Sequence, residues 1–149
     1  MLKKLDAFIS HAWRNHEPWL EIVAEFDAIV GLTWRNFSVP WHDPALHASR
    51  PKEYELIRQT FETQIIPVDV TLVLFDLYKQ KSNVRWLNLC VEIANNYNKP
   101  ICGVYSSALE HYDFEEDFLA GFECLYEREQ LVCEQIVAKY ATDAEFEYI

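Results

Sequence analysis

The sequence predicts an α/β domain built on a doubly wound parallel sheet, and three observations carry that reading. Short apolar runs alternate along the chain with longer stretches of helical periodicity, the order expected of repeated βαβ units. Half of the 149 residues are apolar and aromatic side chains are plentiful, which suits a packed core and excludes a disordered chain. Glycine occurs only three times, too rarely for a turn-rich β-sandwich. A chain of this length buries well over half of its unfolded surface, so a single domain over residues 1–149 is expected.

The first strand is expected over 5–10, an apolar run that ends abruptly in Ser10 and His11. A helix follows over 17–30, with Trp19, Ile22, Val23, Phe26, Ile29 and Val30 on one face and Gly31 where a C-cap belongs. The second strand is expected over 33–39. A second helix runs from 52 to 66 and is stopped by Pro67, and the third strand covers 70–78. A third helix over 84–97 ends before Lys99 and Pro100, and a strand over 101–105 follows. A weaker fifth strand is placed at 122–126. The last helix, 128–140, carries Leu131, Val132, Ile136 and Val137 at helical spacing. Five strands each linked by a helix give the flavodoxin-like order 2-1-3-4-5. Two long irregular segments remain, 40–51 and 106–121. The first leaves the same carboxyl edge of the sheet as Ser10 and His11, where doubly wound sheets bind ligands.

Composition narrows the function. The 13 basic and 24 acidic residues give a formal charge of −11, which repels a phosphate backbone, so nucleic acid is not an expected partner. The acidic run 143–147 reads as a solvated tail. Cys90, Cys102, Cys124 and Cys133 lack Cys-x-x-Cys spacing and lie among apolar neighbours, as buried free thiols of a reducing cytosol do. No apolar run approaches membrane-spanning length, and the Lys3-Lys4 start lacks the apolar stretch of a leader, so a cytoplasmic protein with no membrane partner is expected.

The usual nucleotide signatures are absent: there is no Gly-x-Gly-x-x-Gly, no Walker loop and no Gly-x-Ser-x-Gly elbow. Ser10 and His11 stand where hydrogen bonds to a ribose or phosphate would be made, or where the following helix is capped. His42, Asp43 and His47 do not complete a metal-ligand set, so no metal is expected. Trp13, Trp34, Trp41 and Trp86 fall at or beside strand edges, where an indole can stack on a ligand ring or plug the core. Trp34 and Trp86 are assigned to the core by their context, and Trp41, between Pro40 and His42, to a lid or partner contact. Asp76 interrupts an apolar strand near its carboxyl end. Such a carboxylate must bind a ligand hydroxyl or cap local backbone, because leaving it buried and unpartnered is costly.

Phe8-Ile9-Ser10-His11-Ala12-Trp13, then Trp34-Arg35-Asn36-Phe37-Ser38-Val39-Pro40 and His42-Asp43-Pro44, together resemble the TIR-like proteins of bacterial Thoeris anti-phage defence. Trp86, Ile93-Ala94 and Lys99-Pro100-Ile101-x-Gly103-Val104 continue the likeness at the same order and spacing, over roughly residues 5–105. The resemblance implies a flavodoxin-like sheet and a cleft for NAD, with no permanently bound cofactor. It implies cleavage of the nicotinamide–ribose bond, yielding ADP-ribose or a cyclic or modified derivative that activates a partner effector. It also implies homo- or hetero-oligomers through TIR–TIR contacts.

On that footing Ser10, His11, Trp13, Trp41, His42 and Trp86 are candidate contacts of NAD or an ADP-ribose-like nucleotide. Asp76 and Cys90 are the candidate catalytic positions. The family's glutamate lies four residues after the tryptophan matching Trp86, and here that residue is Cys90. A thiol neither holds ribose hydroxyls nor stabilises an oxocarbenium-like centre as a carboxylate does. Glu92 is turned about 200° away along the helix. Cys90 is therefore a core filler in a domain that lost catalysis, a thiolate nucleophile, or a replacement offset by Asp76 or a neighbouring subunit. The alternative to an NAD-processing enzyme is a catalytically inactive interaction module. A phospho-receiver is disfavoured, since Ser10 and His11 stand where its paired acids would be.

Overall fold

The computed structural model describes residues 2–10, 17–38 and 51–144, the first three residues of the last stretch by backbone only. The candidates His11, Trp13, Trp41 and His42, with Asp43, His47 and residues 40–50 of the first irregular segment, lie outside the described residues.

The sheet has the expected order. Strands β1 (Lys3–Ile9), β2 (Leu32–Asn36), β3 (Val70–Leu74), β4 (Ile101–Tyr105) and β5 (Cys124–Glu127) run parallel as β2-β1-β3-β4-β5. The register pairs Leu5 with Trp34, Ile9 with Leu72, and Val73 with Gly103. Helices α1 (Glu17–Asp27) and α5 (Val132–Tyr140) contribute to the core on one face of the sheet, and α2 (Pro51–Ile65) and α3 (Lys81–Asn96) to that on the other. The two-residue period of a strand divides the side chains between them. Leu5, Ala7 and Ile9 join Ile22, Phe26 and Ile136 in one cluster, and Phe8 joins Phe61, Leu89 and Ile93 in the other. Every residue of β3 is buried, as expected of a parallel strand covered on both faces.

Several boundaries differ from the sequence reading. The third strand stops at Leu74, and its expected continuation is a 3₁₀ turn over Phe75–Lys79. Phe75 and Leu77 are both fully buried, but in opposite core clusters, so these two positions read as a strand would. The Asn83 side chain, itself buried, fixes it by donating to the Leu77 carbonyl at 3.0 Å. Helix α1 ends at Asp27, and Val30 is 97% exposed rather than on the buried face. The chain reverses at Gly31, whose φ of 80° is the left-handed conformation for which glycine is suited. Helix α5 begins at Val132, because Leu131 takes a φ of 52°, outside the helical region, and is 66% exposed.

A sixth strand, β6 (Thr142–Asp143), pairs antiparallel with Lys3 and Lys4 of β1. It occupies the strand edge that β3 leaves open, since β3 meets β1 only from Ala7 to Ile9. Asp143 is therefore not simply solvated but joined to Lys3 by an ion pair, while residues 145–147 of the acidic run lie outside the described residues.

The segment 106–121 is also more ordered in pattern than an open loop, holding a 3₁₀ turn over Leu109–Tyr112 and helix α4 (Glu116–Ala120). Aromatic packing anchors it. Phe75 meets Phe114 at 4.7 Å, Phe122 at 5.2 Å and Tyr112 at 5.8 Å between ring centroids, all edge-on. Cys90, Cys102 and Cys133 are buried free thiols, whereas Cys124 is half-buried. Among the described residues no helix is long and apolar enough to cross a membrane.

Candidate functional site

The candidate site begins at the carboxyl ends of β1 and β3, where the sheet order reverses direction and a crevice can open. Ser10 closes this end of β1. Its N–H donates to the Leu72 carbonyl at 2.8 Å, and its Oγ accepts the Leu74 N–H at 2.8 Å. In a regular parallel ladder that second N–H goes to a main-chain carbonyl, so the hydroxyl supplies an acceptor beyond the end of the strand. Ser10 is fully buried and its oxygen serves the sheet.

A second anchor explains part of the Trp34–Pro40 motif. Trp19 of α1 donates its indole N–H to Ser38 Oγ at 3.1 Å, and the Ser38 hydroxyl donates in turn to Asn36 Oδ1. The same Asn36 oxygen accepts the Ser38 N–H at 2.9 Å. Ser38 is fully buried, so this chain satisfies polar groups that would otherwise be costly where β2 leaves the sheet. Trp34 plugs the core as expected, 4.9 Å from the Phe26 ring, with its indole N–H donated to Asp27 at 2.8 Å.

Asp76 is the centre of the site. Its carboxylate accepts hydrogen bonds from the Tyr112 hydroxyl at 2.6 Å and from the Ser106 hydroxyl, and pairs with Lys79 Nζ at 3.2 Å. Burial alone would raise its pKa, but the donations from Ser106, Tyr112 and Lys79 prevail and hold it below the usual carboxylate value. Tyr112 is itself fixed, because its oxygen accepts the N–H groups of Ser106 at 3.0 Å and Ser107 at 3.2 Å. The groups held by Asp76 are thus the side chains of Ser106, Tyr112 and Lys79 rather than the local backbone that the sequence reading offered, and it remains about one-third exposed.

That exposed part lines a crevice of about 140 Å³ bounded by Pro18, Glu21 and Ile22 of α1, Leu74, the end of β4, and Arg128. Arg128 donates to Glu25 at 2.6 Å and lies 3.7 Å from Glu21. The crevice therefore carries the carboxylates of Asp76 and Glu21 and the Arg128 guanidinium at the carboxyl edge of the sheet. Sequence reasoning found Asp76 but missed Ser106, Tyr112, Lys79 and Arg128. Only the three-residue spacing from Asp76 to Lys79 was a local signal, since the other partners come from distant parts of the chain.

Cys90 lies elsewhere. It is 2% exposed, belongs to the apolar cluster of Phe8, Val73, Phe75 and Ile93, and does not line the Asp76 crevice. Burial drives its thiol well above the ordinary cysteine value, the opposite of what a nucleophile requires. Arg85, the cation nearest in sequence, stacks over the Tyr54 ring at 4.7 Å. Glu92 is exposed and pairs with Arg58 of α2 at 3.4 Å. Trp86 is half-buried against the cluster that holds Cys90, consistent with a core role. Among the described residues no group of three His, Cys, Asp or Glu side chains is arranged to hold a metal ion.

Fold and site together define a doubly wound α/β domain with a crevice at its carboxyl edge that mixes charged and apolar side chains. In comparisons with known proteins, no family model, curated protein or solved structure matches the chain.

Proposed function

We propose that the chain is a TIR-like domain of a bacterial anti-phage immune system that acts in NAD-derived nucleotide signalling by binding its nucleotide at the carboxyl edge of the sheet. The ligand is NAD or an ADP-ribose-like nucleotide, and the domain works by assembling with further copies or a partner effector in the cytoplasm. The resemblance in residues 5–105 motivates the family. The observation that carries the binding reading is Asp76, a carboxylate kept ionised by three donors and still open to a crevice at the edge where such sheets take ligands.

An ionised carboxylate accepts hydrogen bonds from ribose hydroxyls, and Arg128 offers charge to a phosphate in competition with Glu21 and Glu25. At about 140 Å³ the crevice suits one ribose or phosphate group; drug-sized ligands fill roughly 300 Å³ or more. The rest of a dinucleotide extends over the sheet edge. With Cys90 buried where the resemblance places a glutamate, binding is better supported than cleavage.

Calorimetry with NAD and with ADP-ribose tests this. Binding should be detectable to the unmodified chain and weakened by at least about tenfold in Asp76→Ala, the loss of one charge-assisted contact. Absence of binding by both nucleotides at millimolar concentration would end the reading.

One observation favours a second reading. Asp76 is the type of group that can take over a missing glutamate, because it is ionised and reaches the crevice. The domain would then release nicotinamide from NAD, and Asp76→Asn would abolish that release while leaving the fold intact. Under the binding reading neither protein releases nicotinamide.

A further inference from the structure

Cys102 of β4 and Cys124 of β5 are register partners on adjacent parallel strands. Paired strands lie about 4.8 Å apart, within the Cα separation of roughly 4.4–6.8 Å that a disulfide spans. Both side chains face the α5 side of the sheet, and both sulfurs contact one group, the Tyr140 hydroxyl, at 3.2 Å for Cys102 and 3.6 Å for Cys124. Lys139 places its ammonium 3.0 Å from Cys124 Sγ. Cys124 is half-buried on an edge strand, whereas the other three thiols are buried.

We propose that Cys124 and Cys102 form a peroxide-reactive dithiol, with Cys124 the attacking thiol and Cys102 the resolving one. The Cys124 thiolate attacks one oxygen of hydrogen peroxide. The S–O bond forms as the O–O bond breaks, and the departing hydroxide takes a proton and leaves as water. Cys102 then gives up its proton and attacks the Cys124 sulfenic sulfur, forming the S–S bond as the S–O bond breaks. The second oxygen leaves as water. Two thiols lose two electrons, and the peroxide is reduced to two waters.

The electrostatic setting divides the roles in the same way. Burial raises the Cys124 pKa, but hydrogen bonding with Tyr126, Lys139 and Tyr140, whose own proton goes to Glu123, and the Lys139 charge bring it below the ordinary thiol value. Burial pushes Cys102 up to about 12. Cys90 and Cys133 are also raised, mainly by burial. The disulfide would enclose the segment that carries Ser106 and Tyr112, the two hydroxyl partners of Asp76. Oxidation would thereby tether the crevice wall to the sheet edge.

The test treats the reduced chain with equimolar hydrogen peroxide, blocks remaining thiols by alkylation and maps the peptides by mass spectrometry. The expected product is a Cys102–Cys124 cross-link lighter by two hydrogens. In Cys102→Ser, dimedone should trap a sulfenic acid at Cys124. In Lys139→Met, an exposed substitution that spares the core, the oxidation should slow several-fold. Oxidation of Cys90 or Cys133 at the rate of Cys124, or a Cys124 sulfenic acid that persists in the unmodified chain without cross-linking, would overturn the proposal.

Discussion

Replacing Gly103 by alanine places a methyl carbon 2.3 Å from Cζ and 2.7 Å from Cε1 of Phe75, and 3.0 Å from Cδ2 of Leu125. Carbon atoms pack comfortably at about 3.5–4.0 Å, so the Phe75 ring must retreat by more than about 1 Å. It has little room to do so, being fully buried with Phe114 and Phe122 ring centroids at 4.7 and 5.2 Å. Overpacking of this kind costs about 1–3 kcal/mol, while exchanging a strand glycine for alanine returns about 0.5–1 kcal/mol of chain entropy. A net loss of about 2 kcal/mol follows if the packing cost lies in the upper part of its range, lowering Tm by about 4–8 °C for a domain of this size.

Urea and thermal unfolding of Gly103→Ala measure that loss. Combining it with Phe75→Leu, which removes the colliding ring atoms, should recover at least about 1 kcal/mol relative to the sum of the single changes. A Gly103→Ala protein within about 0.5 kcal/mol of the parent, or strict additivity in the double variant, would refute the steric reading.

Three further outcomes follow from the site and its supports. Tyr112→Phe should cost about 1 kcal/mol, below the roughly 1.5–3 kcal/mol of a buried bond to a charged partner because Asp76 is one-third exposed to screening solvent. Since the folded-state pKa of Asp76 is depressed, its contribution is present above its unfolded pKa and fades as pH falls through its folded value. The gap between Tyr112→Phe and the parent in denaturant titrations should therefore close in acid. Ser38→Ala leaves the buried Trp19 indole N–H without its acceptor and should lower stability by about 1–3 kcal/mol in the same titrations. Cys90→Glu puts a carboxyl among Phe8, Val73 and Phe75, where its pKa must rise. Its stability should fall as pH increases from the normal carboxylate range toward neutrality, and thermal melts at several pH values would show it.

The sheet order was legible because β3, β4 and the second half of β1 are short apolar runs whose burial in a parallel sheet leaves a plain signature. The end of β3 was not, since Phe75 and Leu77 are as buried as a strand, and the turn is marked by bonds to the Leu77 carbonyl from Asn83 and the Gln80 N–H, which no sequence pattern announces. A run that is apolar but for Asp76 has no periodicity from which to distinguish the two. Strand β6 was invisible, as two exposed residues acquire their conformation from the free edge of β1. Within the site, Asp76 was conspicuous because a carboxylate in an apolar run needs an explanation. Tyr112 and Ser106 were not, because their tie to Asp76 joins residues thirty or more positions apart. Arg128 was assigned to a helix whose periodic apolar residues extended past its true start at Val132.

Strand β3 is paired along both edges and wholly buried, whereas β5 is paired on one edge and ends in an exposed residue. Amide hydrogens of the central strand should be the last to exchange with deuterated solvent, opening only with the whole domain, while those of the outer strand exchange through local fraying. The hollow beside Asp76 spans that gradient, with Leu74 on its slow side and Arg128, just past β5, on its fast side. Ligand capture should slow exchange most at the outer strand, where the protein has the most freedom left to lose.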